Sequence, residues 1–218
     1  MGFIWQYPLN FISTASGFVP AFVAVTVWGA LKRDMQVLAA LLIFYLAIDL
    51  ASMILAMHHV RNLWLSTLVY PVDFGVMLWL FAEWESNPLG RRVLRVAIPL
   101  SFLAWILIQT RIGGINQFNY IGRPLQCVVL VGLSIRLLQR LGIHGHSDLW
   151  KDYRFWVGLA VLVSSSGSVF AYTLGFLIET HYMRQIWGSH LLTNTLANLL
   201  FAGGFWCLRR PATTGGSS

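Results

Sequence analysis

The chain has 218 residues, of which 57% are hydrophobic and only 11% are charged. A soluble domain of this length carries about a quarter charged residues, so the composition indicates a protein surrounded mainly by lipid. The length suggests a single domain, which we predict to span 1–210, followed by a low-complexity, disordered tail at 211–218.

Seven apolar segments are long enough to cross a bilayer, which needs about 20 residues of helix. In chain order they cover about 11–31, 37–57, 63–83, 93–110, 118–138, 155–177 and 185–207. The first ten residues lack the basic stretch of a signal peptide, so we expect the first segment to be retained as a span. The sequence therefore predicts an all-α polytopic membrane protein with seven transmembrane helices.

The basic residues are divided unequally between the two predicted sides of the membrane. The first, third and fifth loops and the C-terminus carry eleven of the 15 lysines and arginines, and the other side carries four. Since cytoplasmic loops are enriched in basic residues, the N-terminus is predicted outside and the C-terminus in the cytoplasm. The formal net charge of +7 is thereby explained by topology and contact with anionic lipid, and we expect no nucleic-acid partner.

Asp73 lies about midway along the third segment. An acidic residue at that depth costs at least about 2.5 kcal/mol to insert, so it should face a partner or water rather than lipid. Polar residues at helical spacing define stripes that we predict to face a shared interior. They are Tyr45, Asp49 and Ser52; Asn62, Ser66, Tyr70 and Asp73; Asn119, Arg123 and Gln126; Ser164, Ser168 and Tyr172; and Trp187, His190, Asn194 and Asn198. The fourth segment is almost wholly apolar and should face lipid, whereas the first has only small hydroxyl residues.

The predicted orientation places most of these polar groups in the outer half of the bundle. A cavity open to the outside, with Asp49 and Asp73 as its polar floor, would keep them hydrated. Arg123 would either neutralise Asp73 or receive an anionic group of a ligand. The candidate ligand-binding or polar-network residues are Asp49, Tyr70, Asp73, Arg123, Gln126, Tyr172, His190, Asn194 and Asn198. The simpler alternative is a structural ion pair between Asp73 and Arg123, with Asn194 and Asn198 as ordinary interhelical hydrogen-bonding residues.

Several classes of protein are excluded because the sequence lacks the residues or motifs that they need. A retinal protein needs a lysine inside the bundle, but Lys32 and Lys151 both fall in predicted loops. The sequence has no phosphate-binding loop, zinc-protease motif or nucleophile elbow. Cys127 and Cys207 fall at different depths in separate spans, so we expect neither a disulfide nor a cysteine metal site, and we predict no cofactor.

Two resemblances rest on short motifs. The sequences IDL (48–50), RNLWL (61–65), YPVDF (70–74) and IWGSHLLTNTLANLLFAGGFWC (186–207) resemble a group of small, uncharacterised seven-helix proteins of bacterial membranes. This resemblance implies the seven-helix fold, a bacterial inner-membrane location and no known activity.

A more distant pattern resembles membrane hydrolases of the ceramidase and adipoQ-receptor superfamily, which place zinc among seven helices. The matching residues are Ser52, His58 or His59, Asp73 and His190. The resemblance implies His58, His59, Asp73 and His190 as candidate metal ligands. Asn194 occupies the position of the second histidine of the family's last-helix motif, which removes a nitrogen ligand from a site of this kind.

Three functions remain open at this point, besides a purely structural subunit of a larger complex, so the sequence does not decide whether the protein is an enzyme. The first is a sensor-like or receptor-like module that binds a small or lipidic ligand and passes its output to a membrane-protein partner or a homodimer. The second is an intramembrane hydrolase that uses a metal, or Asp73 and His190 as acid and base. The third is a proton-coupled transporter, since mid-membrane acids suit a proton relay, although no inverted repeat is visible.

Overall fold

The computed structural model describes residues 8–60, 62–111, 121–143, 148–177 and 183–209. These ranges contain seven α-helices, together with two short 3-10 helices at Trp28–Ala30 and Leu149–Lys151. The α-helices are α1 (Pro8–Thr26), α2 (Arg33–Met57), α3 (Leu63–Trp84), α4 (Pro88–Arg111), α5 (Gly122–Ile143), α6 (Tyr153–Leu177) and α7 (Met183–Leu208). No strand occurs within the same ranges, so the all-α prediction is confirmed.

Six of these helices are long and apolar enough to cross a membrane, which indicates a membrane protein. Helix α3, which carries Asp73 and Glu83, is not in this set, for which only the described residues were considered. Two helices begin earlier than the apolar pattern predicts: α2 at Arg33 rather than about 37, and α4 at Pro88 rather than about 93. The charged first turns continue the helix past the hydrocarbon region, where hydropathy alone gives no signal for them.

The helices form a closed ring of six, with the seventh outside it. The principal contacts join α1 to α2, α2 to α3, α3 to α5, α5 to α6, α6 to α7, and α7 back to α1. Helix α4 packs mainly on α3, and none of its residues is buried. This agrees with the expectation that the fourth segment faces outward over most of its surface.

An apolar core fills one half of the ring. Its most completely buried members include Met35, Leu38, Leu78, Val157 and Phe205, which lie where α2 and α6 begin and where α3 and α7 end. Between membrane helices such close packing acts through dispersion, because lipid is as apolar as the side chains themselves. The polar stripes meet in the opposite half, which is where the candidate site lies.

A buried glutamate joins three helices at the core end of the bundle. Glu85, the residue that follows α3, is only 6% exposed, and its carboxylate accepts bonds from Arg140 at 2.9 Å and Arg136 at 3.1 Å, both on α5. The backbone N–H of Asn87 donates to the same carboxylate at 3.0 Å. Arg91 of α4 donates to the Glu85 carbonyl oxygen at 3.0 Å. We name this end of the molecule the basic end, because basic residues gather there.

A second acid at the basic end connects the remaining loops. Asp34 in the first turn of α2 accepts hydrogen bonds from the Trp84 indole at 2.8 Å and from the Tyr153 hydroxyl at 3.0 Å. Lys32 lies over the Tyr153 ring, with its Nζ 5.6 Å from the ring centroid. The first, third and fifth loops therefore meet at one end, as an alternating bundle requires. Which side of the membrane this end faces stays a prediction.

Helices α6 and α7 approach each other closely at Gly167. A Cβ atom at this position would overlap the side chain of Thr193 on α7. Gly132 on α5 is the natural comparison, because a Cβ added there would meet nothing within 4 Å. An alanine at Gly132 therefore tests helix propensity alone, whereas an alanine at Gly167 also tests the packing of α6 against α7.

We predict that Gly167→Ala lowers the free energy of unfolding by about 1–3 kcal/mol, because the added methyl group forces α6 and α7 apart. Gly132→Ala should be neutral or stabilising by up to about 1 kcal/mol, since alanine is the better helix former. Unfolding midpoints of both variants in the same mild detergent give the comparison. Equal effects at the two positions would contradict this packing.

Candidate functional site

A cavity of about 240 Å³ lies inside the ring, and every helix except α4 contributes to its wall. Its polar lining residues are Tyr45, Asp49, Tyr70, Asp73, Arg123, Ser164, Ser165, Ser168, Tyr172, His190, Asn194 and Asn198. Five of its apolar lining residues lie towards the basic end, namely Leu42, Met77, Leu130, Val161 and Phe201, whereas Leu46, Ile48 and Val69 are sequence neighbours of the polar lining residues. The cavity therefore has an apolar floor, rather than the floor of two aspartates that the sequence suggested, and the polar groups lie around and above it.

The structure brings eight of the nine candidate residues to this cavity. The exception is Gln126, which does not line it, although its Oε1 is buried without a hydrogen-bond partner among the described residues. Helical spacing correctly places Gln126 near the face of Arg123, but a rotation of tens of degrees decides whether a side chain reaches a cavity or packs beside it.

The centre of the site is an ion pair between α3 and α5. Arg123 donates a hydrogen bond from Nη1 to Oδ2 of Asp73 at 2.7 Å, and both side chains are largely buried, with exposures of 16% and 5%. The Arg123 guanidinium also lies 4.7 Å from the centroid of the Tyr70 ring, and the Tyr45 hydroxyl lies beside the Asp73 carboxylate. Of the two roles predicted for Arg123, the geometry favours neutralisation of Asp73.

Local sequence positions both partners of the pair. Pro71 lies inside α3, two residues before Asp73, and its missing N–H leaves a backbone carbonyl one turn earlier without its usual helical donor. Arg123 is the second residue of α5 and is followed by Pro124, a residue type suited to the first helical turn. Arg123 therefore extends from a helix start towards the middle of the neighbouring α3.

An aromatic group adjoins the ion pair. The hydroxyls of Tyr70 and Tyr172 are 2.6 Å apart, which joins α3 to α6 by a hydrogen bond. The Tyr172 ring packs edge-on against Trp187 and His190 of α7, at centroid distances of 5.6 and 6.4 Å. Trp187 and His190 are themselves 5.6 Å apart. These contacts fix the imidazole of His190 against the cavity wall.

Two ionisable groups at the cavity have no partner within the described part of the chain. The Nδ1 atom of His190 is buried and makes no hydrogen bond. Asp49 lines the cavity from α2, with its side chain exposed and without an ion pair or hydrogen bond. Since an acid within a span needs a partner or water, Asp49 and His190 are the groups available to a ligand.

The asparagines of α7 pair with serines of α1. Asn194 donates to Ser13 at 3.0 Å and Asn198 donates to Ser16 at 2.8 Å, and both serines are buried. Their amides therefore donate interhelical hydrogen bonds, as the simpler interpretation of Asn194 and Asn198 predicts. Both asparagines also line the cavity. Ser13 and Ser16 are not among the residues that the sequence predicts for the site. Their spacing of three residues, which puts both on one face of α1, could have indicated this role.

The metal-ligand candidates are not assembled into one site. His58 and His59 are exposed just beyond the end of α2, and His59 has a positive φ of 58°. Asp73 is engaged by Arg123. No group of three His, Cys, Asp or Glu side chains able to hold a metal ion occurs among the residues that the structure describes. Cys127 and Cys207 form no disulfide within the described part of the chain.

Comparisons of the chain with known protein families, with curated proteins and with solved structures find no match. Neither resemblance given above therefore gains support from a relative, and the geometry of the site is what bears on function.

Proposed function

We propose that this protein is an integral membrane binding module, sensor-like or receptor-like, that takes up a small or lipidic ligand in the central cavity. The observation that carries the proposal is a cavity inside the ring whose wall holds two unpartnered ionisable groups, Asp49 and the Nδ1 of His190, beside a satisfied ion pair. The Nδ1 of His190 is buried without a partner, which costs free energy. Asp49 is exposed, but as an acid within a predicted span it needs a partner or water, so both groups favour a bound molecule over a purely structural interior.

The proposal includes seven membrane crossings, with α3 as the third. Helix α3 has 22 residues, about 33 Å at the rise of an α-helix, and lies in the ring between α2 and α5. Asp73 is paired with Arg123 inside the ring, so α3 can cross the membrane without exposing a charge to lipid. With the basic end in the cytoplasm, the cavity lies in the outer half of the bundle and is reached from outside.

The charges in the cavity favour a ligand with a hydrogen-bond donor or a positively charged group. Asp73 and Arg123 neutralise each other, which leaves Asp49 as the carboxylate free to interact. The His190 Nδ1 and the hydroxyls of Ser164 and Ser165 add further polar contacts. A volume of about 240 Å³ is small for a ligand pocket, so a compact molecule or the polar end of a lipid is the best fit.

A thermal-shift titration tests this assignment. Wild-type protein in mild detergent, heated with a panel of small amines, polar neutral compounds and monoacylglycerols, should show a rise in Tm for at least one member. A ligand at a hundred times its Kd stabilises the folded state by about 2.7 kcal/mol. Asp49→Asn should remove or strongly reduce that shift, because it removes the charge offered to the ligand.

Asp148→Asn is the matched control. Asp148 makes an exposed ion pair with Lys151 before α6 and does not line the cavity, so its loss should leave the ligand shift unchanged. Loss of the shift in both variants, or a shift that survives Asp49→Asn, would contradict the assignment of Asp49 to the site.

Proton-coupled transport is the second candidate, and the polar contacts around the ion pair favour it. Tyr45, Asp73 and Arg123 adjoin one another, and Tyr70 and Tyr172 continue the row through their hydroxyl contact. An acid without a partner, such as Asp49, is also what a proton relay requires. Proton flux into liposomes that falls in Asp49→Asn protein, without any ligand shift in detergent, would favour transport over binding.

A further inference from the structure

A second opening lies at the basic end, apart from the central cavity. It is a cleft of about 610 Å³ between the starts of α2, α4 and α6 and the end of α3, and it shares no lining residue with the cavity. Its charged lining residues are Lys32, Arg33, Asp34, Glu83, Glu85, Arg91 and Arg154, and the indoles of Trp79 and Trp84 complete much of its wall. We call it the basic-end cleft.

Two of the acids at this cleft are neutralised by arginines that do not line it. Glu85 is paired with Arg136 and Arg140, and Glu83 with Arg95 at 2.9 Å. These three arginines are absent from the lining of the cleft. Arginines outside the cleft therefore neutralise both glutamates. These two carboxylates are then not available to neutralise the basic residues that line the cleft.

The basic residues of the cleft are less well paired. Arg154 forms an ion pair with Asp152 at 2.6 Å. Lys32 and Arg33 are exposed and have no carboxylate partner in the described ranges. Arg91 donates only to a backbone carbonyl, and its Nε is buried without a partner among the same residues.

The charge balance of the cleft is therefore positive. Three of its basic side chains have no carboxylate partner, against the single carboxylate of Asp34, which is hydrogen-bonded by uncharged donors. An anion with several oxygen acceptors would satisfy the Arg91 Nε and offset the charges of Lys32 and Arg33 together.

We propose that the basic-end cleft binds a phosphate group, carried either by the headgroup of an anionic phospholipid or by a free phosphate compound. The cleft lies at the ends of the membrane-spanning helices, where lipid phosphates are found, and its tryptophans suit that interfacial depth. Phosphate oxygens match both the guanidinium fork of an arginine and the point charge of a lysine. This site is independent of the central cavity and of the function proposed for it.

Titration of a double variant tests the proposal. Wild-type protein in an uncharged detergent is titrated with short-chain phosphatidylglycerol, with inorganic phosphate, and with diacylglycerol as a probe that lacks the phosphate. Lys32→Gln/Arg33→Gln should weaken binding of the phosphate-bearing probe roughly tenfold or more, because each basic residue near a lipid headgroup contributes severalfold to affinity. Both residues are exposed and lack a carboxylate partner, and the contact of Lys32 with the Tyr153 ring lies at the surface, so the variant should keep a Tm close to that of the wild type.

The control is Arg92→Gln/Arg209→Gln, which removes the same charge from exposed residues at the basic end that do not line the cleft. Its binding should stay within about twofold of the wild type, since only general attraction to an anion is lost. Binding of phosphatidylglycerol alone would identify a lipid headgroup, and binding of inorganic phosphate as well would identify a free phosphate compound. The proposal is overturned by equal weakening in the two double variants, by equal binding of diacylglycerol, or by wild-type protein that binds neither phosphate probe.

Discussion

Asp73→Ala should lower the free energy of unfolding by about 3–5 kcal/mol, because it leaves the Arg123 guanidinium buried without a counter-charge. The pair is close, at 2.7 Å, and both side chains are largely buried, so water in the cavity replaces the lost carboxylate only in part. Denaturation midpoints of the wild type and the variant in the same mild detergent measure the effect. A variant as stable as the wild type would show that the pair is not the centre of the buried network.

The double variant Asp73→Leu/Arg123→Met separates a structural role of the pair from a role in the site. Replacing both partners of a buried ion pair with apolar side chains of similar size is often neutral for stability, so the double variant should regain most of the loss. Its cavity wall loses the charged pair, however, and we expect weaker binding of the ligand identified with the wild type. Full stability together with unchanged binding would assign the pair a structural role alone.

Glu85→Gln should destabilise the protein by about 2 kcal/mol or more, because it removes charge-assisted hydrogen bonds that hold α3 to α5. The buried Glu85 carboxylate accepts from Arg136 and Arg140, and the partial exposure of these arginines limits the penalty that follows. Unfolding midpoints in detergent, at low and at moderate salt, measure the change.

Glu83→Gln is the matched control on the same helix end. Glu83 pairs with Arg95, and both side chains are substantially exposed, so this substitution should cost less than about 1 kcal/mol and depend on salt. Similar losses for Glu83→Gln and Glu85→Gln would contradict the idea that burial makes Glu85 the main contact between helices at the basic end.

The central ion pair could be predicted from the sequence because membrane depth and helical period act together. Asp73 and Arg123 lie in different spans, each on a polar stripe, and the cost of an unpaired charge in lipid demands a partner. The outward position of α4 could also be predicted, because a segment with almost no polar residues has no side chain that needs a polar partner inside the bundle.

Other features could not be predicted, because helical period fixes a face but not the neighbour that it meets. The closure of the ring by α7 and α1, through Asn194 with Ser13 and Asn198 with Ser16, depends on helix order in space. The apolar floor of the cavity has the same origin, since residues such as Phe201 and Met77 gain that role only from the packing of several helices.

The contacts of Glu85 were also beyond the sequence. The residue lies at a predicted span end, where an acid is usually solvated, and it is the approach of α4 and α5 that buries it. His58 and His59 show the opposite case. Their chemistry suggested metal ligands, but their place just beyond α2 leaves them exposed.

Native mass spectrometry with elemental analysis of gently solubilised protein tests the central claim most directly. The claim is that the cavity beside Asp49, Asp73 and His190 holds a ligand in the folded protein. We predict an additional organic mass at one copy per chain in the wild type, reduced in Asp49→Asn, with no stoichiometric metal. Protein that remains empty under these conditions would contradict the binding function, and a stoichiometric transition metal would favour the intramembrane hydrolase instead.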